Sequence, residues 1–317
     1  MHRDRDRLPQ LAGGLFLTDG GIETTLVFHE GLDLPWFAAF ALLKDEAGRQ
    51  ALRRYHRRHA EIARERGVGF ILESATWRAS SDWGEKLGYT PRELDEANRA
   101  AIELLRELRE ELETAGSPMV ISGCVGPRGD GYDPGRVMSA EEAFAYHAPQ
   151  VRAFAESDAD LVTAITMTST PEAIGVVRAA RQAGLPVVIS FTVETDGRLP
   201  TGESLGEAIE AVDRATANGP AYYMINCAHP THFEAELYAG GAWVERVRGL
   251  RANASRQSHA ELDEAEVLDD GDPVELGRQY AELVRRFPHI NVLGGCCGTD
   301  HRHIAQICTA CLAAEAA

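Results

Sequence analysis

No stretch of the 317 residues approaches the roughly 20 consecutive apolar residues of a membrane span. Basic residues are scarce: 32 Lys and Arg stand against 49 Asp and Glu, a formal charge of -17. A surface of that sign excludes nucleic acid as the expected partner, because phosphate backbones bind basic surfaces, while it is compatible with a cationic ligand. The N-terminus, Met1 to Arg7, mixes charges of both signs, and the apolar stretch behind it is broken by Gly13-Gly14 and Asp19, so no secretory leader is expected. The six cysteines show no even framework of spacings and read as free thiols of a reducing, cytoplasmic compartment. Two further absences narrow the chemistry. No Gly-x-Gly-x-x-Gly follows the first apolar run, which weakens a dinucleotide-binding fold, and no His-x-His stands there, which weakens a metal-dependent barrel hydrolase.

Short β-branched or apolar runs alternate with helical segments through the whole chain. Strands are predicted at 15–19, 69–75, 119–124, 161–166, 187–193, 222–227, 247–252 and 290–295. Helix signals lie between them: Thr90-Pro91-Arg92-Glu93 and Ser139-Ala140-Glu141-Glu142 are capping boxes, and Gly67 is a stop after a helix from about Asp45 to Arg66. Eight such units in one chain of this length predict an α/β fold, a closed (β/α)8 TIM barrel forming a single domain over residues 1–317. A doubly wound open sheet is the runner-up. The longest irregular stretches follow the second, third and seventh strands, and in a barrel those loops share the catalytic face.

Near the end of the chain the apolar run Asn291-Val292-Leu293 breaks into Gly294-Gly295-Cys296-Cys297-Gly298-Thr299. Adjacent side chains on a strand point to opposite faces, so two adjacent thiols meet at one atom only if the chain leaves extended geometry, which flanking glycines permit. A buried apolar pair and a vicinal disulfide are the bland readings. Two ligands of one metal ion are favoured, and a partner is at hand: the sixth strand stops at Cys227, and barrel closure brings the ends of the sixth and eighth strands to one rim. Cys227, Cys296 and Cys297 then make a three-thiolate zinc site with an open fourth position. Three thiolates and Zn²⁺ sum to a negative centre, poorly suited to activating water. A substrate thiol bound there would ionise and stay nucleophilic, which implies alkyl transfer to sulfur from a small cationic donor.

Asp19-Gly20-Gly21-Ile22-Glu23-Thr24, Glu73-Ser74-Ala75-Thr76-Trp77, Ile225-Asn226-Cys227 and Gly294-Gly295-Cys296-Cys297-Gly298-Thr299 with His303-Ile304 together resemble the homocysteine S-methyltransferases. The resemblance implies a zinc-binding barrel with Cys227, Cys296 and Cys297 as ligands and homocysteine sulfur in the fourth place, giving methionine. It further implies that Asp19 meets the acceptor's amino group, that amides near Gly20 and Gly21 meet its carboxylate, and that Glu73 lines the same site. Two positions depart from the pattern. Ile165 stands where a glutamate is expected after the fourth strand, and Ser74-Ala75 replaces Thr-Asn after the second. Glu194, just past the fifth strand, is the candidate replacement carboxylate, and Asn253 a candidate pocket residue. Another thiol or selenol is the alternative acceptor, and a zinc store or redox sensor the alternative outside enzymes. Betaine, S-methylmethionine and S-adenosylmethionine are the economical donors. The partners expected are therefore small molecules, with no nucleic acid, no membrane and a possible homo-oligomer.

The remaining candidates are weaker. His229 reads as a turn residue before it reads as a ligand. Trp36, Trp77 and Tyr223 are candidates for a cation cage, with packing the commoner role. Cys124, Cys308 and Cys311 read as structural thiols, and the acidic stretch 261–272 as a solvated loop.

Overall fold

The computed structural model describes residues 5–265 and 267–315. Eight parallel strands close into a barrel in sequence order: β1 (Phe16–Leu17), β2 (Gly69–Glu73), β3 (Met119–Val125), β4 (Leu161–Met167), β5 (Val187–Phe191), β6 (Tyr222–Asn226), β7 (Val247–Ala252) and β8 (Val292–Gly295). All eight predicted strands are present, several a residue or two shorter than the apolar runs that announced them. β1 is only two residues long and closes the barrel by pairing with both β2 and β8. Among the described residues no helix is long and apolar enough to cross a membrane.

The helices begin where side chains can satisfy orphan amides. The capping boxes at Thr90 and Ser139 form as read, and Ser204 with Glu207 makes another. Asp45 caps Glu46–Arg66 by accepting from the Gly48 N–H at 2.8 Å, and Gly67 ends it in the left-handed conformation. A further box, Ser258 with Glu261, opens the short helix His259–Asp263, so the acidic stretch is not simply a solvated loop.

The barrel interior has a dry floor. Phe16, Ile71, Val120, Leu161, Val188, Tyr222, Met224 and Val292 fill it with Leu8 from the N-terminal segment. That segment closes the bottom: Arg5 Nε donates to the Ala159 carbonyl at 2.9 Å, and Asn291 Nδ2 to those of Gln10 and Gly14. A second, larger apolar cluster packs the strands' outer faces against the helices. Above the floor the interior turns polar, and there the register matters. β7 lies between β6 and β8, with Asn226 opposite Arg251 and Arg251 opposite Gly294. The ends of the sixth and eighth strands are therefore one strand apart.

Candidate metal centre

Three sulfurs converge at the C-terminal rim of the barrel. Cys227 Sγ lies 3.1 Å from Cys296 Sγ and 3.4 Å from Cys297 Sγ. Among the described residues this is the one group of three His, Cys, Asp or Glu side chains close enough to hold a metal ion. All six cysteines are free. Hydrogen bonds from Cys227 and Cys297, followed by the positive charge of Arg251, hold the Cys296 thiol well below its ordinary range.

The backbone delivers the sulfurs in two ways. After β6 the chain turns sharply, placing Cys227 in the left-handed region (φ 57°), a conformation uncommon for a residue with a Cβ. After β8 a turn runs from Cys296 to Thr299, closed by Thr299 N–H donating to the Cys296 carbonyl at 3.1 Å, with Gly298 third at φ 78°, where a type II turn favours glycine. Gly294 and Gly295 serve a different purpose from the flexibility expected of them. Their φ values are not positive; a Cβ on Gly294 would lie 1.9 Å from Thr18 Oγ1 and one on Gly295 2.2 Å from Thr299 Oγ1. Gly21 is bare for the same reason, because its Cβ would meet the Cys296 carbonyl at 2.6 Å.

A buried polar cup lies inside the barrel at this end. Asp19 Oδ1 is 2.7 Å from Arg251 Nη2, and its Oδ2 accepts from the Tyr55 hydroxyl at 2.9 Å. Glu73 Oε2 is 3.5 Å from Arg251 Nη1, and burial raises the Glu73 carboxyl to about 7. Glu23 is likewise raised to about 7, first by burial and then by the neighbouring Cys296 and Asp19 charges. Ser122 and Thr163 pair their hydroxyls at 2.8 Å, and Asn226 joins Ser190 Oγ to the Thr166 backbone and hydroxyl. That last contact braces a bulge: β4 slips register between Ala164 and Met167, and Thr166 sits at φ 64°. Ile165 is buried as well, an apolar side chain at the position where a carboxylate was expected.

Of the predicted residues, Asp19, Glu73 and the three cysteines share this end of the barrel. Gly21 N–H is committed to Thr299, and the Gly20 carbonyl accepts from Tyr55. Glu194 pairs with His259 Nδ1 at 3.0 Å, and Asn253 is buried with its Oδ1 unpartnered among the described residues. His229 caps the helix Pro230–Ala239 through Thr231. The aromatic cage does not assemble. Tyr223 is buried in the outer cluster with its hydroxyl on Asp213, Trp36 is 58% exposed beside Trp83, and Trp77 donates to the Ile165 carbonyl. Cys124 stays buried, its thiol pushed well up by burial.

Residue-by-residue reading of the chain missed Arg251, Tyr55, Tyr132 and His259 as parts of this region. Tyr132 comes from the glycine-rich loop after β3, and its hydroxyl lies 3.4 Å from Cys227 Sγ and 3.3 Å from Cys297 Sγ. Its ring stacks on His259 at 4.1 Å, and His259 Nε2 donates to the Cys227 carbonyl at 2.7 Å. Arg78, stacked on Trp83, holds the same loop through the Gly129 carbonyl and Asp130. The signal available was placement: one tyrosine in a long loop on the catalytic face.

Known proteins share this fold. The homocysteine S-methyltransferase family model matches residues 16–311. A selenocysteine Se-methyltransferase of Brassica oleracea var. italica is 24% identical, covering 93% of this chain and 88% of its own length. Homocysteine S-methyltransferase 1 of the same plant is 23% identical over 70% of this chain and 71% of its own. The metallated form of the Escherichia coli homocysteine methyltransferase MmuM superposes with a TM-score of 0.73 at 18% identity, covering 96% of this chain and 99% of that one. With a family match that spans nearly every strand and helix of the barrel, the chain belongs to the homocysteine S-methyltransferase family of methyltransferases.

Proposed function

We propose that Cys227, Cys296 and Cys297 hold a zinc ion, and that the chain moves a methyl group from a small cationic donor to the sulfur or selenium of a small acceptor bound beside them. Homocysteine is the first acceptor to test. The observation that carries this reading is the convergence of three sulfurs, with no imidazole or carboxylate in their cluster. The set fits zinc: ligands about 2.3 Å from a tetrahedral ion would stand about 3.8 Å apart, so Cys227 need draw away from Cys297 and Cys296 by about 0.4 and 0.7 Å. The metallated Escherichia coli relative supports the same assignment by analogy of fold. When bound, zinc supplies a place where a thiol ionises near neutral pH and, with three thiolates already present, keeps its nucleophilicity.

The chain's own residues do the rest. The loop after β3 reaches the sulfurs through Tyr132, while Cys296 and Cys297 stay partly exposed to a substrate. His259 fixes the Cys227 turn by its bond to that residue's carbonyl, a bond from outside the ligand set that orients a ligand. Arg251, Asp19 and Glu73 line the polar cup in which the acceptor's body rests. The six free thiols suit a reducing compartment, and the cytoplasm is the proposed location.

The test is metal analysis together with methylation of homocysteine and selenocysteine, using betaine, S-methylmethionine and S-adenosylmethionine in turn. One zinc per chain and one productive pair support the reading. Zinc at full occupancy whose X-ray absorption spectrum no thiol or selenol alters would overturn it.

A further inference from the structure

The seventh strand places a guanidinium directly under the sulfurs. The Arg251 carbonyl accepts from Cys227 N–H at 3.1 Å, and Arg251 Nε donates to the Gly295 carbonyl at 3.2 Å, so the side chain is held between the two ligand-bearing turns. Nη2 is committed to Asp19 at 2.7 Å, with the Gly20 carbonyl at 3.5 Å. Nη1 is different. Arg251 is only 6% exposed, yet among the described residues Nη1 has no hydrogen-bond partner and only a long ion pair, to Glu73 Oε2 at 3.5 Å. Leaving a buried charged donor unpaired is costly, and an incoming acceptor with a complementary group removes that cost.

The features needed to hold an ammonium are weaker. Both oxygens of Asp19 have partners within the protein, one the Arg251 guanidinium and one the Tyr55 hydroxyl. The fourth strand presents Ile165, which offers only apolar contact. Two acids are left: Glu73, whose Oε1 has no hydrogen-bond partner among the described residues but whose carboxyl burial raises to about 7, and Glu23, on which the charges of Cys296, Asp19 and Arg78 all bear.

We propose that Arg251 anchors the acceptor's carboxylate through Nη1, that the acceptors are thiol or selenol carboxylic acids, and that an α-amino group is not the feature recognised. Asp19 is then a positioning residue that holds the guanidinium in place. Homocysteine qualifies by its acid group. The inference rests on the methyl-transfer reading above.

Three acceptors of matched reach separate the possibilities: homocysteine, 4-mercaptobutyrate without the amine, and 3-mercaptopropylamine without the acid. Each is assayed on zinc-loaded enzyme for kcat and KM and titrated by calorimetry. The expected result is 4-mercaptobutyrate within about 10-fold of homocysteine in kcat/KM, and 3-mercaptopropylamine lower by about 10²-fold or more, chiefly through KM. Arg251→Gln is expected to bring the acid-to-amine ratio close to one, while Arg251→Lys keeps part of the preference. A wild-type preference for the amine, abolished by Glu23→Gln, would overturn the proposal, as would an Arg251→Gln enzyme equally impaired toward all three thiols. Should Arg251→Gln fail to fold, the wild-type series and Arg251→Lys decide. If no thiol is methylated with any donor, the methyl-transfer reading fails. Calorimetry then still judges Arg251, by whether the protein binds the acid in preference to the amine.

Discussion

The two ends of the barrel are built from the same eight strands and obey different rules. Toward the bottom, β2, β5, β6 and β8 turn Ile71, Val188, Met224 and Val292 inward, and the interior closes as a dry plug. Two or more residues further along, the same strands bring in Glu73, Ser190, Asn226 and the turn that carries Cys296. Burial stabilises the first set by about 25 cal/mol per Å² of apolar surface, whereas it costs the second set unless every donor and acceptor is matched. At the upper end the matching is incomplete: among the described residues Glu73 Oε1 and Asn253 Oδ1 lack hydrogen-bond partners, and Asp19 Oδ1 and Arg251 Nη1 meet ion-pair partners alone. A fold tolerates such groups where a ligand completes them, and the contrast with the floor separates packing from chemistry within one barrel.

The sharpest way to break the comparison is at the sulfurs. Cys296→Ala is expected to lose bound metal and to lower methyl transfer by more than about 10³-fold, with the circular dichroism of the barrel retained. Retained metal and activity would remove the trio from the chemistry. The floor should behave in the opposite sense. Met224→Ala is expected to cost about 2–5 kcal/mol in denaturant stability while metal stoichiometry stays at the wild-type value. A loss of metal without a loss of stability there would show that the two ends are not separable.

The pH dependence of stability sharpens the same contrast. The folded Glu73 carboxyl titrates at about 7, against an ordinary value of 4.5. Below the ordinary value both folded and unfolded chains are protonated; between the two values only the folded chain is. Stability is therefore fully present at low pH and falls as pH rises through that window, by roughly 3 kcal/mol for this group. Glu23 shares the shift, and the lowered His56 and His229 oppose it below about 6.5, so Glu73→Gln is expected to lessen the fall in stability between pH 5 and 7.5, measured by urea midpoints. An unchanged slope would mean that Glu73 is ionised within the fold. The smallest effect belongs to neither end of the barrel: Thr90→Ala removes a cap on the outer helix Pro91–Leu112 and should cost about 1 kcal/mol with kcat/KM unaltered.

Much of the architecture could be read beforehand, because apolar runs, capping boxes and glycine stops are local signals. The eight strands and the boxes at Thr90 and Ser139 stand where those signals put them. Cys227 could be paired with Cys296 and Cys297 because closure of a barrel is itself a distance constraint. Arg251 was harder, since an arginine near a strand end is ordinarily solvated, and only the register with Asn226 and Gly294 turns it inward. Tyr132 and His259 were harder still. Tyr132 lies on a loop whose course depends on contacts such as Arg78 with Gly129, and His259 opens a helix of only five residues, too short for periodicity to announce. Tyr223 failed as a cage residue for a simple reason of alternation: it faces the helices, while Tyr222 and Met224 face the interior.

The bare positions at 294 and 295 carry a lesson about relatives. No side chain fits at either, because Thr18 and Thr299 occupy the space a Cβ would need. Selection for a closed barrel would keep those two glycines in a descendant that had abandoned methyl transfer altogether. The adjoining cysteines have no such structural excuse, so a homologue that retains Gly-Gly and has lost Cys-Cys should be counted as the same shape with its trade gone.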